Sequence, residues 1–336
     1  MTLAVVPTSS PVTWVVGAGG LLGSALCARL RSDGGTVLRQ RVGWSGERAG
    51  ADLLAGLAQL SAHLERAGGP WRVVWCAGAG VTGSSAQALQ QEIRTLTSFL
   101  DRMTERAADL GPGTFFLASS AGGLYAGTPS DGHAFSELDP VNPISPYGEA
   151  KLAAELAVTR YAEATGNQVQ IGRIANLYGP GQNLSKGQGL ISALCRSHLT
   201  RRPISVYVSL DTIRDYLFVD DCADMIADML DVTTPGRQAG EVVLKILASQ
   251  HGTTIATLVA ACRQVFKRPP LLILGTSAQA RFQVLDLRLR SFVWPEIDHR
   301  TLMPLPAGIA ATTAAIQRSI QRPHRDPSPD RPRPIA

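Results

Sequence analysis

Residues 13–26 read Thr13-Trp14-Val15-Val16-Gly17-Ala18-Gly19-Gly20-Leu21-Leu22-Gly23-Ser24-Ala25-Leu26, an apolar run that enters three glycines at three-residue intervals and leaves as a helical pattern ending at Asp33-Gly34-Gly35. A strand, a tight turn and a helix fit that order. Gly17 permits the turn, Gly20 lets a phosphate approach the backbone, and Gly23 lets the helix pack close on the strand. The helix N-terminus, at Leu21 and Leu22, then offers N–H groups and partial positive charge to a pyrophosphate. The spacing is GxxGxxG rather than the commoner GxGxxG, and a glycine-rich turn without a ligand is the alternative. A second strand over residues 36–40 favours the dinucleotide reading.

Strand and helix patterns alternate from there. Strands are expected over residues 12–16, 37–40, 73–77, 114–118 and 169–174, and helices over 21–31, 53–67, 86–108 and the segment after Tyr147. The strands are apolar throughout, as in a parallel sheet covered on both faces, so the fold class is α/β, a Rossmann-type doubly wound sheet. Residues 1–11 read as a flexible leader and 321–336, rich in Pro and Arg, as a disordered tail.

The chain of 336 residues is 45% hydrophobic and 18% charged, enough for a substantial core. Its net charge of +5 is scattered, with basic density rising only near residues 318–333, so no nucleic-acid partner is implied. A mild cationic excess suits an anionic small substrate. Cys27, Cys76, Cys195, Cys222 and Cys262 have no paired spacing and read as reduced core thiols, and the histidines have no metal-ligand spacing, so no metal is expected. No apolar stretch reaches the ~18 residues that would suggest a membrane span, and no cationic start precedes an apolar run, so a cytoplasmic location without a membrane partner is expected.

Chemistry enters with Ser145-Pro146-Tyr147-Gly148-Glu149-Ala150-Lys151. Ser145 can cap a helix, Pro146 suits its first position, and Tyr147 and Lys151 then share one face a turn apart. A phenol, with an ordinary pKa near ~10, is a poor base at neutral pH, but a cation held close favours the phenolate. The pair can then move a proton to or from a substrate oxygen. Alone, the spacing fits better a solvated lysine beside a half-buried tyrosine.

Three further stretches accompany these two motifs: residues 115–125 (FFLASSAGGLY), 173–182 (RIANLYGPGQ) and 214–221 (RDYLFVDD). In this order the five resemble the NAD-dependent epimerase/dehydratase family, the extended short-chain dehydrogenase/reductases typified by UDP-galactose 4-epimerase. That resemblance implies a dinucleotide-binding domain over residues 12–178, to which 215–245 returns. A smaller, discontinuous substrate-binding lobe would comprise 179–214 and 246–320. It also implies a homodimer through the helices at 86–108 and 146–164, the second showing an outer stripe of Leu152, Ala153, Leu156, Ala157 and Arg160-Tyr161.

Carried over residue by residue, the resemblance makes Tyr147 the general acid/base and Lys151 its partner and a ligand of the nicotinamide ribose. A serine after the fifth family strand would hydrogen-bond the reacting oxygen. Counting forward selects Ser120, counting backward from Tyr125 selects Ala121, and Ser119 is the remaining alternative. The cofactor surface would comprise Gly17, Gly20, Leu21, Leu22, Gly23, Ala77, Gly78, Ala79, Ala118, Ile174, Tyr147 and Lys151. Asp52, near the end of what would be the family's third strand, would contact adenine with Leu53 beside it. Ser120, Ala121, Asn176 and Arg214 would face a nucleotide-sugar. Glu92 departs from the Asn usual in the family.

Cofactor choice follows from charge. An ungapped comparison with the family from Gly17 puts Arg41 where NAD enzymes carry an acid; Arg39 lies two residues before it, and no Asp or Glu lies between Gly35 and Gly46. Guanidinium groups pair with a ribose phosphate that a carboxylate would repel, so NADP is favoured over NAD. The expected activity is hydride transfer at a ring carbon of a nucleotide-activated sugar, as a 4-epimerase or a 4-ketoreductase. Reduction of a non-sugar carbonyl and a non-catalytic NADP-binding regulator are the alternatives.

Overall fold

The computed structural model describes residues 10–44, 48–78, 80, 84–130, 132–184, 189–232, 238–275 and 284–321. β1 (Val12–Val16) runs through the glycine turn into α1 (Leu21–Ser32), followed by β2 (Thr36–Leu38), α2 (Arg48–Ala67) and β3 (Trp71–Trp75). Next come α3 (Ala86–Glu105), α4 (Ala107–Leu110), β4 (Gly113–Ser120), the short α5 (Ala121–Leu124), α6 (Pro146–Thr165) and β5 (Gln168–Ile174). Beyond them lie β6 (Asn176–Tyr178), α7 (Leu190–Thr200), β7 (Ile204–Val206), β8 (Ile213–Phe218), α8 (Val219–Asp231) and β9 (Val242–Leu247). The order closes with β10 (Gly252–Thr254), α9 (Ile255–Phe266), β11 (Leu272–Leu274), α10 (Pro295–Asp298) and α11 (Leu305–Gln321).

Six parallel strands form the central sheet in the order β2-β1-β3-β4-β5-β9. Along β1, successive side chains go to opposite faces, as the strand period requires. Trp14 and Val16 pack with Leu57 of α2, Phe99 of α3 and Val158 of α6, whereas Val15 packs with Leu26 of α1 and Ile226 of α8. Both faces are therefore apolar, which is why the strands show no alternation. Gly56 lets α2 lie directly on the Trp14 indole; a Cβ there would collide with the ring.

Away from this sheet, β10, β8 and β6 make a three-stranded sheet, and β7 pairs with β11. Leu194 of α7, Leu258 of α9 and Ile309 of α11 share a second apolar core with Tyr178 and Phe218. Lys245, fully buried in β9, donates to Ser291 Oγ (2.8 Å), to the Val293 carbonyl (2.6 Å) and to Asp298 Oδ2 (2.7 Å). That set of acceptors compensates its burial and ties the segment before α10 to the sheet edge.

Several expectations need correction. Among the described residues no strand lies between β2 and β3, and the helix expected from Leu53 begins at Arg48, so that Asp52 lies within α2 rather than at a strand end. The reason is periodicity: Leu53, Gly56, Leu57 and Leu60 recur at helical spacing and are buried on one side. The helix expected over 86–108 breaks at Arg106 into α3 and α4. On α6, Leu156 is half exposed, but Tyr161 is buried beside Phe115 and does not belong to an outer stripe. Residues 1–9 of the leader and 322–336 of the tail lie outside the described residues. Among those described, no helix is long and apolar enough to cross a membrane, and no group of three or more His, Cys, Asp or Glu is arranged to hold a metal.

Candidate active site

The glycine turn is built for close approach. Gly17 adopts φ +89°, and a Cβ on it would stand 2.8 Å from the Ala77 nitrogen, against the loop that leaves β3. Gly20 donates to the Gly17 carbonyl at 2.9 Å, and a Cβ on Gly23 would collide with the same oxygen. At Gly20, the N-cap of α1, no side chain caps the helix. The uncapped N–H groups of a twelve-residue helix, with open space at Gly19 beside them, fit a dinucleotide pyrophosphate. Leu22 anchors the helix in the core beneath.

At the end of β2, Arg39 and Arg41 are both exposed. Asp52 Oδ2 accepts from the Gly43 nitrogen at 2.7 Å, fastening the loop after β2 to α2, while Leu53 is buried in the core. Neither observation brings those two residues to the glycine turn. Ala79 lies outside the described residues.

The catalytic candidates meet where β4 ends. Ser145 Oγ accepts from the Gly148 nitrogen at 3.1 Å, capping α6, and Pro146 takes the helix's first position. This cap sets the start of the helix, so Tyr147 and Lys151 fall on one face, with the Lys151 ammonium 5.8 Å from the phenol ring centre. The ammonium also donates to the Ala118 carbonyl at 3.2 Å, holding α6 against β4. Ser120 caps α5, its Oγ accepting from the Gly123 nitrogen at 3.3 Å. Tyr147 covers the same glycine: a Cβ on Gly123 would lie 3.0 Å from Tyr147 Cε1. Ser120 and Tyr147 therefore both lie against Gly123. Ala121 is buried at the start of α5, and Ile174 lies opposite Ser120 in β5.

Ser119 is differently placed. It is buried, and its Oγ donates to Glu155 Oε1 at 2.6 Å. Glu155 also receives Arg173 Nε at 3.1 Å and Nη2 at 2.8 Å, and Arg173 Nη1 donates to the Tyr125 hydroxyl at 2.8 Å. The strand period turns Ser119 toward this network and leaves Ser120 at the turn. Neither Glu155 nor Arg173 stood out as a site residue in the sequence, although Arg173 opens the matching stretch at residues 173–182.

Of the residues expected to face a substrate, Asn176 donates its Nδ2 to the Asp215 carbonyl at 3.1 Å, joining β6 to β8. Arg214 is held against the Ile213 carbonyl at 2.8 Å, and burial lowers its pKa. Asp215 is fully buried, and that burial pushes its carboxyl up to about 6 even though its Oδ1 accepts from the Ser249 nitrogen at 2.8 Å.

A parallel α/β sheet with an uncapped glycine cradle at β1 and a Tyr/Lys helix beside β4 defines a nucleotide-cofactor fold. Residues 13–244 match the NAD dependent epimerase/dehydratase family, and the chain belongs to that family. It is 30% identical over 235 residues to UDP-glucose 4-epimerase of Mycolicibacterium smegmatis, a match that covers 63% of this chain and 71% of that protein. Among solved structures, MoeE5 in complex with UDP-glucose and NAD superposes with a TM-score of 0.74 at 21% identity, over 93% of this chain and 100% of that one. UDP-glucose 4-epimerase of Thermotoga maritima with UDP-glucose gives 0.74 at 18% identity, over 92% and 100%. At those identities the structures speak for the fold.

The close contact of α5 with α6 generates a prediction. A Cβ on Gly148 would strike the Gly123 carbonyl oxygen, with Pro143 Cβ also at 2.9 Å. Gly148→Ala must therefore lift the start of α6, moving Tyr147 from Ser120. The expected cost is about 1–3 kcal/mol in denaturant unfolding, together with a fall of at least tenfold in turnover. A variant with unchanged midpoint and rate contradicts the packing described.

Proposed function

We propose that the protein is an NAD(P)-dependent enzyme acting on a nucleotide-activated sugar by hydride transfer at a ring carbon, as a 4-epimerase or 4-ketoreductase. The observation that carries this reading is the meeting of Ser120, Tyr147 and Lys151 around the end of β4, in a fold whose first turn is a dinucleotide cradle. Tyr147 exchanges the proton of the reacting sugar hydroxyl, and Ser120 hydrogen-bonds the same oxygen. Lys151 supplies the cation that favours a phenolate and holds the ribose next to it. Gly17, Gly20 and Gly23 admit the pyrophosphate to the N-terminus of α1. When bound, the nicotinamide supplies the hydride acceptor and donor. Asn176 and Arg214 face the sugar diphosphate, for which a guanidinium is a natural partner.

The 4-epimerase form is supported by the named activity of the Mycolicibacterium smegmatis relative. Arg39 and Arg41 favour the alternative, a ketoreductase consuming NADPH, because both are exposed beyond β2 with no carboxylate in the segment between Gly35 and Gly46. Absence of Glu from residues 119–124 disfavours dehydration, because the family's dehydratases place an acidic pair there.

Incubation with a panel of UDP- and dTDP-sugars, following products and cofactor absorbance together, tests this reading. Interconversion of C4 epimers without net cofactor use is the epimerase outcome, and stoichiometric loss of NADPH is the ketoreductase one. If no member of the panel is converted or protects the protein thermally, the substrate class is wrong.

The arginines have their own test. Arg39→Ala combined with Arg41→Asp should weaken NADPH far more than NADH, since each lost charge-assisted hydrogen bond is worth about 1.5–3 kcal/mol, roughly ten- to hundredfold. The new carboxylate repels the phosphate and accepts from ribose hydroxyls, so the preference should invert. An unmoved affinity ratio would leave both arginines as surface charge.

A further inference from the structure

Cations that stand apart in the sequence are gathered by the fold at one corner. α7 and α9 each end on a residue in the left-handed region, Arg201 (φ 56°) and Lys267 (φ 56°). A second cation and a proline follow in both cases, Arg202-Pro203 and Arg268-Pro269. The strands that come next, β7 and β11, run parallel, with Ile204 opposite Leu272. Parallel pairing puts the starts of both strands, and with them both pairs of cations, at the same end of the two-stranded sheet. The ring of His198 in α7 stacks on Phe266 of α9 with 4.3 Å between centres, and its pKa is lowered by burial and then by Arg201 and Arg268, one cation from each pair. Arg201, Arg202, Lys267 and Arg268 are all exposed.

Nothing on these elements neutralises the four. No Asp or Glu occurs in residues 164–210 or 242–285, nor in α11, which shares the core of α7 and α9. Beside the cations, β11 carries aliphatic side chains exposed on both of its faces, Ile273 at 53% and Leu274 at 62%, with Leu271 exposed just before it. Aliphatic groups clustered in this way on a surface mark an interaction site.

We propose that this corner is a peripheral docking surface for an anionic lipid bilayer, with the four cations on the headgroups and the β11 aliphatics in the boundary beneath them. Cations beside exposed aliphatic side chains are what such a bilayer takes up, by charge and by apolar burial together. A second copy of the chain would set like charge against like. Single-stranded nucleic acid is bound on exposed aromatic faces, whereas Phe266 is buried under His198 and the neighbours on β11 are aliphatic. The expectation of no membrane partner came from the lack of a spanning segment and from charge scattered along the chain; folding is what concentrates that charge.

Co-sedimentation of the full chain with vesicles tests the proposal without any sugar nucleotide, and so independently of the reaction above. The salt is set at about 0.1 M, where charges beyond roughly 10 Å are screened. Vesicles of phosphatidylcholine and phosphatidylglycerol in equal parts should bind the protein, and phosphatidylcholine alone should not. Arg201→Glu with Arg268→Glu should lower the partition coefficient at least about tenfold, since each cation near an anionic surface contributes roughly fivefold. Leu271→Ser with Leu274→Ser should lower it at least about threefold. Arg66→Glu with Arg106→Glu, a charge-matched pair at exposed positions elsewhere, should leave it within about twofold. If the reversed variant loses its far-ultraviolet dichroism, Arg201→Gln with Arg268→Gln takes its place, with the same direction expected. No binding to the anionic vesicles, equal binding to neutral ones, an equal fall in the charge-matched pair or an unchanged leucine variant overturns the proposal. Tighter binding to a short duplex DNA than to the vesicles does so too.

Discussion

Everything at the candidate active site depends on two glycines that touch. Gly123 in α5 and Gly148 in α6 approach so closely that a Cβ on the second would meet the carbonyl of the first. Because α5 begins where β4 ends, this contact ties the start of α6 to the end of a central strand. Tyr147 is thereby laid over Gly123, the residue whose nitrogen Ser120 caps. The Lys151 bond to the Ala118 carbonyl, one turn further along α6, closes the same arrangement from the strand side. Main-chain contacts of this kind leave little play, as the proton transfer proposed for Tyr147 requires.

The second constraint is a buried charge. Glu155 and Arg173 are both nearly inaccessible, and an ion pair so placed is tolerable only when its remaining valences are filled. Ser119 and Tyr125 fill them. The network spans α6, β4, β5 and the residue after α5, so losing one member would strand a charge in the core. It also assigns different work to neighbouring serines, since Ser119 belongs to the network and the Ser120 hydroxyl caps the turn.

How much was legible in the sequence follows from the range of the forces involved. The glycine turn, the Ser145 cap and Pro146 are local devices, and the structure has β1, α1 and α6 starting within a residue of where those signals put them. Strand assignments held because both sheet faces are apolar. Asp52 was put near a strand end by likeness to the family, but the helical periodicity of Leu53, Leu57 and Leu60 extends back past it to Ala49, which is buried on the same helix. Ser119 and Ser120 were ambiguous because the deciding partner, Glu155, lies 36 residues away. Glu92 looked like a departure from a family pattern; that it lines the same cavity as Tyr147 and Lys151 comes from the three-dimensional crossing of α3 and α6.

The central claim is that the Tyr147 hydroxyl is the group that moves the proton, and Tyr147→Phe tests it most directly because it removes one oxygen and preserves the packing on Gly123. Turnover and cofactor affinity should be measured on the same preparation. The account predicts turnover lowered by about 10²–10⁴-fold with cofactor still bound. Turnover near the wild-type rate with cofactor bound would contradict it.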